Sequence, residues 1–214
     1  MDPVSASQTG HPRMAATDRR AQLLDIALNL FSEKGFDRTT TKEIAAAAGV
    51  TEAIVFRHFP TKQALYQAVL EQQSDCPGAR EWLDQARHSM DRNDDEGLMR
   101  AIAQAVLEQY RNDPRMERLM LYAALEGQET ALNHYRNVSM PIYELLREYL
   151  LRRQQEGALV AFNPGAILSS ISGMAQQFAL YTRLFGFPAE ISDEEAVDTF
   201  TRILMDGIKP RSKQ

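Results

Sequence analysis

The stretch AAAAGVTEAIVFRHFPTK, residues 45–62, decides how the front of this chain folds, because small side chains stand directly before a cluster of aromatic and cationic ones. Two helices joined by a turn of three or four residues cross at a steep angle when the first offers a small side chain at the crossing and the turn accepts a left-handed residue. Ala45 and Gly49 meet these two requirements. The stretch therefore predicts a helix–turn–helix unit.

Capping signals on both sides of the turn indicate where the helices begin. Thr40 and Glu43, three residues apart, have the pattern of a capping box, which predicts a second helix over 41–48. Thr51 and Thr61 can cap a third and a fourth helix. Upstream, the apolar residues of a first amphipathic helix recur at i, i+3, i+4, i+7 and i+8, and these are Leu23, Ile26, Ala27, Leu30 and Phe31.

The chain beyond residue 77 is also predicted to be helical, because it lacks any sustained alternation of apolar and polar residues. The helix predicted at 114–126 contains LMLYAAL, which is apolar nearly all round, so we expect it to be buried in the middle of a bundle. The predicted fold class is all-α. Further helices are predicted at 82–90, 95–111, 139–155, 164–185 and 192–207.

Composition narrows the class of protein. The chain has 214 residues of which 44% are hydrophobic, enough for a real core, and no apolar run is long enough for a membrane helix, so a cytoplasmic protein is expected. Cys76 is the single cysteine, which excludes an internal disulfide, and the four histidines are too far apart to suggest a metal site. Neither a metal nor a cofactor is expected.

Charge is distributed unevenly along the chain. The net charge is −5, yet residues 19–62 carry seven basic and five acidic side chains, so the front part is mildly basic. Such a distribution permits a surface that faces DNA without proving one.

The spacing within the helix–turn–helix unit is that of a DNA-binding motif. With Thr41 as position one, Ala45 falls at five, Gly49 at nine and Val55 at fifteen. In such motifs the second helix enters the major groove. The alternative is an ordinary helical hairpin inside a core, since alanine-rich helices and glycine turns are common.

The block TTTKEIAAAAGVTEAIVFRHFPTKQAL, together with LLDIALNLFSEKGF before it, resembles the DNA-binding region of the TetR (tetracycline-repressor-like) family of bacterial regulators. The resemblance covers about residues 19–70. It implies three parts: a flexible arm at 1–17, a three-helix DNA-binding domain at 18–62, and a C-terminal helical bundle at 63–214 for effector binding and dimerisation.

The resemblance also implies a function. The expected protein is a homodimeric transcriptional repressor that a small, largely hydrophobic effector releases from a palindromic double-stranded DNA operator. A DNA-binding regulator or activator without a small-molecule effector is the alternative. An enzyme is least expected, because the sequence shows no phosphate loop, nucleophile elbow or metal-ligand cluster.

Candidate DNA-binding residues follow from their places on the predicted helices. Thr51, Glu52, Ala53 and Ile54 open the recognition helix and should approach base edges. Phe56 stands where many family members have tyrosine, so we expect it to pack or make van der Waals contact, and we expect Phe59 to be structural. The other candidates, expected to contact phosphates or a guanine, are Thr40, Thr41, Lys42, Arg57, His58 and Lys62.

The C-terminal helices are expected to hold the effector and the dimer interface. The helix predicted at 164–185 has small residues such as Ser169 and Gly173 on one face and large ones on another, so the small face could pack across a two-fold axis. Methionine and aromatic side chains suit an adaptable apolar pocket, although each could simply be core. The candidate pocket residues are Trp82, Met99, Met120, Tyr122, Tyr143, Met174 and Phe178.

Overall fold

The computed structural model describes residues 16–74 and 77–210, and within these ranges every regular element is helical. Most of the predicted arm and Cys76 lie outside the described residues, while Ala16 and Thr17 already belong to the first helix. The helices are α1 Ala16–Arg38, α2 Thr41–Ala47, α3 Glu52–His58, α4 Lys62–Ser74, α5 Pro77–Asp91, α6 Asp95–Asn112, α7 Arg115–Glu126, α8 Glu129–Gln155, α9 Pro164–Ala179 and α10 Asp193–Ile208, with a π-helix Leu180–Leu184 after α9.

Most bounds agree with the sequence prediction to within about two residues, but α5 begins five residues earlier than expected, at Pro77, and α8 begins about ten residues earlier, at Glu129. The 27-residue helix contains Pro141, which cannot donate a backbone hydrogen bond and usually ends or kinks a helix. The N-terminal part of α8 is mostly exposed, so it shows little of the apolar periodicity that reveals a helix in sequence.

Two apolar cores organise the molecule. The front core consists of side chains from α1–α4 together with Leu119 and Ala123 of α7 and Ala131 of α8. The back core is formed by α5, α6, the second half of α8, α9 and α10, and includes Met99, which is fully buried. The predicted domain boundary between residues 62 and 63 stays a prediction. The front core also contains side chains of α4, α7 and the start of α8, which lie beyond that boundary in sequence.

Helix α7 lies on the surface rather than in the middle of a bundle, so this expectation from the sequence was wrong. Leu119 and Ala123 face α1 and are buried, whereas Leu121 is 46% exposed and Leu125 is 85% exposed. Apolar character all round the helix predicted burial on every side, but α7 packs mainly against α1 and to a smaller extent against α8, which leaves Leu121 and Leu125 exposed.

Polar contacts join α7 and the N-cap residue of α8 to α1 between Asp25 and Asp37. The first of these pairs, Arg115 with Asp25, is an ion pair at 2.9 Å. At the far end the carboxylate of Glu126 accepts a hydrogen bond from the backbone N–H of Phe36 at 3.0 Å. Between these two contacts, the Tyr122 hydroxyl donates to the carbonyl of Glu33. After the end of α7, the Gln128 amide donates to Asp37.

Among the described helices, none combines the length and the hydropathy that a membrane-spanning segment requires.

Candidate nucleic-acid interface

The helix–turn–helix unit is built as its sequence predicts. Ile44, Ala45 and Val55 are buried and join α2 and α3 to the front core. Gly49 makes the turn with φ +64°, and nothing lies within 4 Å of the place where its Cβ would be. The requirement for glycine is therefore conformational rather than a matter of space. Phe59 is 3% exposed and belongs to the front core, which confirms its structural role.

The capping box at the start of α2 uses both polar groups of Thr40. The backbone N–H of Thr40 donates to the carboxylate of Glu43 at 2.9 Å, and the N–H of Glu43 donates back to the Thr40 hydroxyl at 3.2 Å. Lys34 donates to the same carboxylate at 2.8 Å. These hydrogen bonds, first from Lys34 and then from Thr40, lower the pKa of Glu43 from its ordinary 4.5 to about 2.

Thr41 and Glu52 contact each other across the two helices of the motif. The Thr41 hydroxyl donates to the carboxylate of Glu52 at 2.5 Å. The bond fixes the start of α3 against the start of α2. It also means that a contact from Glu52 to a cytosine amino group would have to share or break this bond. Thr51 is the N-cap residue of α3, but its side chain makes no capping hydrogen bond and is exposed, so it is free to face DNA.

Helix α3 presents a compact set of side chains to solvent. Ala53, Phe56 and Arg57 are exposed, and Ile54 is half-buried beside them. Phe56 is 42% exposed, so it is available for van der Waals contact with DNA rather than committed to the core. Lys42 on α2 is exposed as well. Ala53, Phe56, Arg57 and Lys42 are therefore accessible to DNA, and their contacts with it stay a prediction.

His58 and Lys62 occupy less open positions than the sequence suggested. The Nε2 of His58 is buried and has no hydrogen-bond partner among the described residues. The Lys62 ammonium donates to the carbonyls of Phe36 and Thr39 at 2.8 and 3.0 Å, and it lies 4.1 Å from the centre of the Phe36 ring. Lys62 thus has a structural role that its sequence position did not reveal, and its phosphate contact stays a prediction.

Two residues that sequence reasoning did not single out support this surface. Thr39 is fully buried, and its hydroxyl donates to the carbonyl of Gly35 at 2.8 Å. Arg20 lies with its guanidinium 5.0 Å from the centre of the Phe59 ring. A threonine before a capping residue and an arginine in a first helix carry no distinctive spacing, so only the tertiary structure identifies them.

The seven candidate pocket residues do not form one group. Met99 is in the back core, and Trp82, Tyr143, Met174 and Phe178 pack against it. The expected places of Met120 and Tyr122 need correction, because both residues are on α7 and lie away from the back core. Met120 packs against the front core and the Tyr122 hydroxyl bonds to α1.

Known proteins are similar to this chain in sequence. Residues 23–69 match the family described as bacterial regulatory proteins, tetR family. The HTH-type transcriptional regulator RutR of Escherichia coli K12 is 27% identical over 214 residues, covering 95% of this chain and 96% of RutR. The nucleoid occlusion factor SlmA of Photobacterium profundum is 30% identical over 144 residues, covering 64% of this chain and 70% of SlmA.

The fold is also found among solved structures. AibR in complex with isovaleryl coenzyme A and operator DNA superimposes with a TM-score of 0.62 at 19% identity, covering 86% of this chain and 97% of AibR. This likeness concerns the arrangement of helices across almost the whole chain.

Proposed function

From the premise that this chain belongs to the TetR family of bacterial transcriptional regulators, we propose that it is a dimeric repressor that leaves a palindromic operator when a small, largely apolar effector binds. The protein is a DNA-binding regulator and not an enzyme. Repression, the effector and the dimer are the parts that this proposal adds.

The observation that carries the proposal is the outward face of α3. Val55 anchors the helix in the front core, while Ala53, Phe56 and Arg57 remain exposed on the short helix that follows the turn. A helix of this kind enters the major groove with its N-terminal residues at the base edges. Arg57 suits a bidentate contact with guanine, and Ala53 suits contact with a thymine methyl group.

The proposed dimer forms through α9 and α10. Ser169, Ser170 and Gly173 are exposed along one face of α9, where small side chains allow a second helix to approach closely. A groove of about 790 Å³ opens beside this face, lined by α9, the π-helix and residues 187–191, with Phe200 from α10. We assign this groove to the same helices of a second copy, because it is continuous with the small-residue face.

The proposed effector lies against the back core. Trp82 packs there, and its indole N–H is buried without a hydrogen-bond partner among the described residues. A buried donor without an acceptor costs free energy, which an acceptor on the effector would recover. Met99 and Tyr143 supply apolar and aromatic surface in the same core. This combination favours an organic molecule with an apolar body and one hydrogen-bond acceptor.

Selection of bound fragments from random DNA tests DNA recognition. The expected product is a palindrome whose half-sites place two recognition helices about 34–36 Å apart. Affinity for that fragment should fall steeply with salt, by roughly 0.9 logarithmic units per phosphate contact for each tenfold rise in salt. An affinity that does not change with salt, or equal binding to random DNA, would contradict the proposal.

The role of α3 is tested on the selected fragment with Arg57→Ala. The variant should bind about 5- to 150-fold more weakly and lose preference for one base pair, since a base contact contributes about 1–3 kcal/mol. Arg87→Ala, which removes an exposed arginine from α5, is the matched control and should bind as wild type does. Equal losses in the two variants would show that net charge, not α3, determines affinity.

A screen of small organic molecules for release of the bound fragment then tests the effector. Trp82→Phe removes the indole N–H while keeping an aromatic ring, so release should require more effector while affinity for DNA stays unchanged. Release by the same concentration in both proteins would exclude Trp82 from the effector site.

A further inference from the structure

The segment 35–39, between the body of α1 and the cap of α2, is held from two sides by other helices. Gly35 leaves the helical conformation with φ +83° and ψ 173°. The backbone N–H of Phe36 then donates to Glu126, the last residue of α7. The carbonyl of the same residue accepts from Lys62, the first residue of α4. We call residues 35–39 the kink segment.

The contact between Glu126 and the kink segment is close and charged. A Cβ on Gly35 would collide with the Glu126 carboxylate, so the carboxylate reaches the backbone only because position 35 is glycine. Burial, and then the charge of Glu126, raise the pKa of the Tyr66 hydroxyl, which places the carboxylate near the front core. Within the kink segment, the Thr39 hydroxyl donates a hydrogen bond to the Gly35 carbonyl.

The kink segment leads directly into the DNA-binding motif. Thr40, the next residue, caps α2, and Glu43 ties that cap to Lys34 on the other side of the kink. A shift of the C-terminal end of α7 would therefore move the point at which the motif is attached. Helix α7 in turn joins α6, a helix of the back core, through the two residues between Asn112 and Arg115.

We propose that Glu126 is a positioning residue that sets the orientation of the helix–turn–helix motif relative to α7, through its hydrogen bond with the backbone N–H of Phe36. The inference rests on the proposed function, in which a dimer must hold two motifs at one separation. Lys62 holds the carbonyl of Phe36, which belongs to the next peptide group, so the segment follows the two helices together. Glu126 lies at the end of α7 and bonds to the kink segment, so its removal should loosen the orientation of the motif while leaving its base contacts intact.

The test uses the fragment that the wild-type dimer selects, together with versions in which the half-site spacing is changed by one or two base pairs. Wild type should bind the original spacing best. Glu126→Ala should reduce that preference by about 5- to 150-fold, the range of typical couplings between sites, while binding to a single half-site is unchanged. Glu126→Gln keeps an acceptor without the charge and should lie between the two.

Leu119→Ala is the matched control. This substitution removes a side chain of the front core and so destabilises it, and Leu119 is on the same helix as Glu126, two turns earlier. It should keep the wild-type spacing preference. If Glu126→Ala also keeps that preference, or if Leu119→Ala loses it equally, Glu126 is only a structural hydrogen-bond acceptor and the inference is wrong. Should Glu126→Ala fail to fold, Glu126→Gln decides in its place.

A distance measurement separates this inference from the proposed function, because it needs no operator. Spin labels on Ala53→Cys in a Cys76→Ser background report the separation of the two recognition helices in the dimer. Glu126→Ala should broaden the distribution of distances, and Leu119→Ala should not. Failure of wild type to select a palindrome would overturn the proposed function, whereas an unchanged distribution in Glu126→Ala would overturn the role of Glu126.

Discussion

A single side chain near the start of α2, Glu43, makes contacts on both sides of the kink at Gly35. Glu43 accepts from the backbone of Thr40 and from Lys34, so one carboxylate joins the cap of α2 to the end of α1. The capping-box spacing predicted half of this arrangement. The partner Lys34 is nine positions away across the kink, and sequence spacing alone could not assign it.

Stability should depend on pH through Glu43. Its pKa is lowered in the folded protein to about 2, so the stabilisation is fully present above the ordinary value of 4.5 and is lost as the pH falls towards 2. The thermal midpoint of wild type should exceed that of Glu43→Gln above pH 4.5, and the difference should narrow at lower pH. A difference that stays constant from pH 6 to 3 would contradict this assignment. Glu148→Gln, an exposed carboxylate on α8, is the control.

Helix α7 has a buried face and an exposed face, and both faces carry apolar side chains. Leu119→Ala should lower the free energy of unfolding by about 2–5 kcal/mol, because Leu119 is 1% exposed in the front core. Leu125→Ala in the same helix should change it by less than about 0.5 kcal/mol, because Leu125 is 85% exposed. Urea unfolding of both variants measures the difference, and equal costs would mean that Leu125 is covered in solution.

Helix α8 spans the two cores with a proline between them. Ala131 belongs to the front core and Leu150 to the back core, while Pro141 between them is exposed. Pro141→Ala should raise the free energy of unfolding by up to about 3 kcal/mol, because the alanine N–H can bond to the carbonyl of Asn137 and no packing is lost. Urea unfolding and amide exchange over 137–145 measure this. Unchanged stability would show that the helix already accommodates the proline without cost.

At the scale of the whole molecule, oligomeric state decides whether two motifs can read one operator. Gly173 lies on the exposed face of α9, and nothing stands within 4 Å of the place where its Cβ would be. Gly173→Arg should therefore fold normally as a single chain but prevent the proposed dimer. Light scattering should give the mass of one chain, about 24 kDa, in place of two. Gln104→Arg, exposed on α6, should leave the dimer intact, and a dimeric Gly173→Arg would place the interface elsewhere.

The helical class, most helix limits and the helix–turn–helix motif could be predicted from the order of the residues alone. These depend on local rules: Gly49 makes a left-handed turn, Thr40 caps, and buried positions such as Ile44 and Val55 recur with helical spacing. Such rules act between neighbours in the chain, so they can be read from spacing.

Which helix each surface packs against depends on contacts that form only in the folded molecule. It placed α7 against α1, turned Tyr122 away from the back core, and brought Glu126 to the backbone of Phe36, 90 positions earlier in the chain. It also gave Lys62 two backbone carbonyls where the sequence predicted a phosphate contact. These contacts join residues far apart in sequence, and an amphipathic pattern states that a face is buried without stating against what.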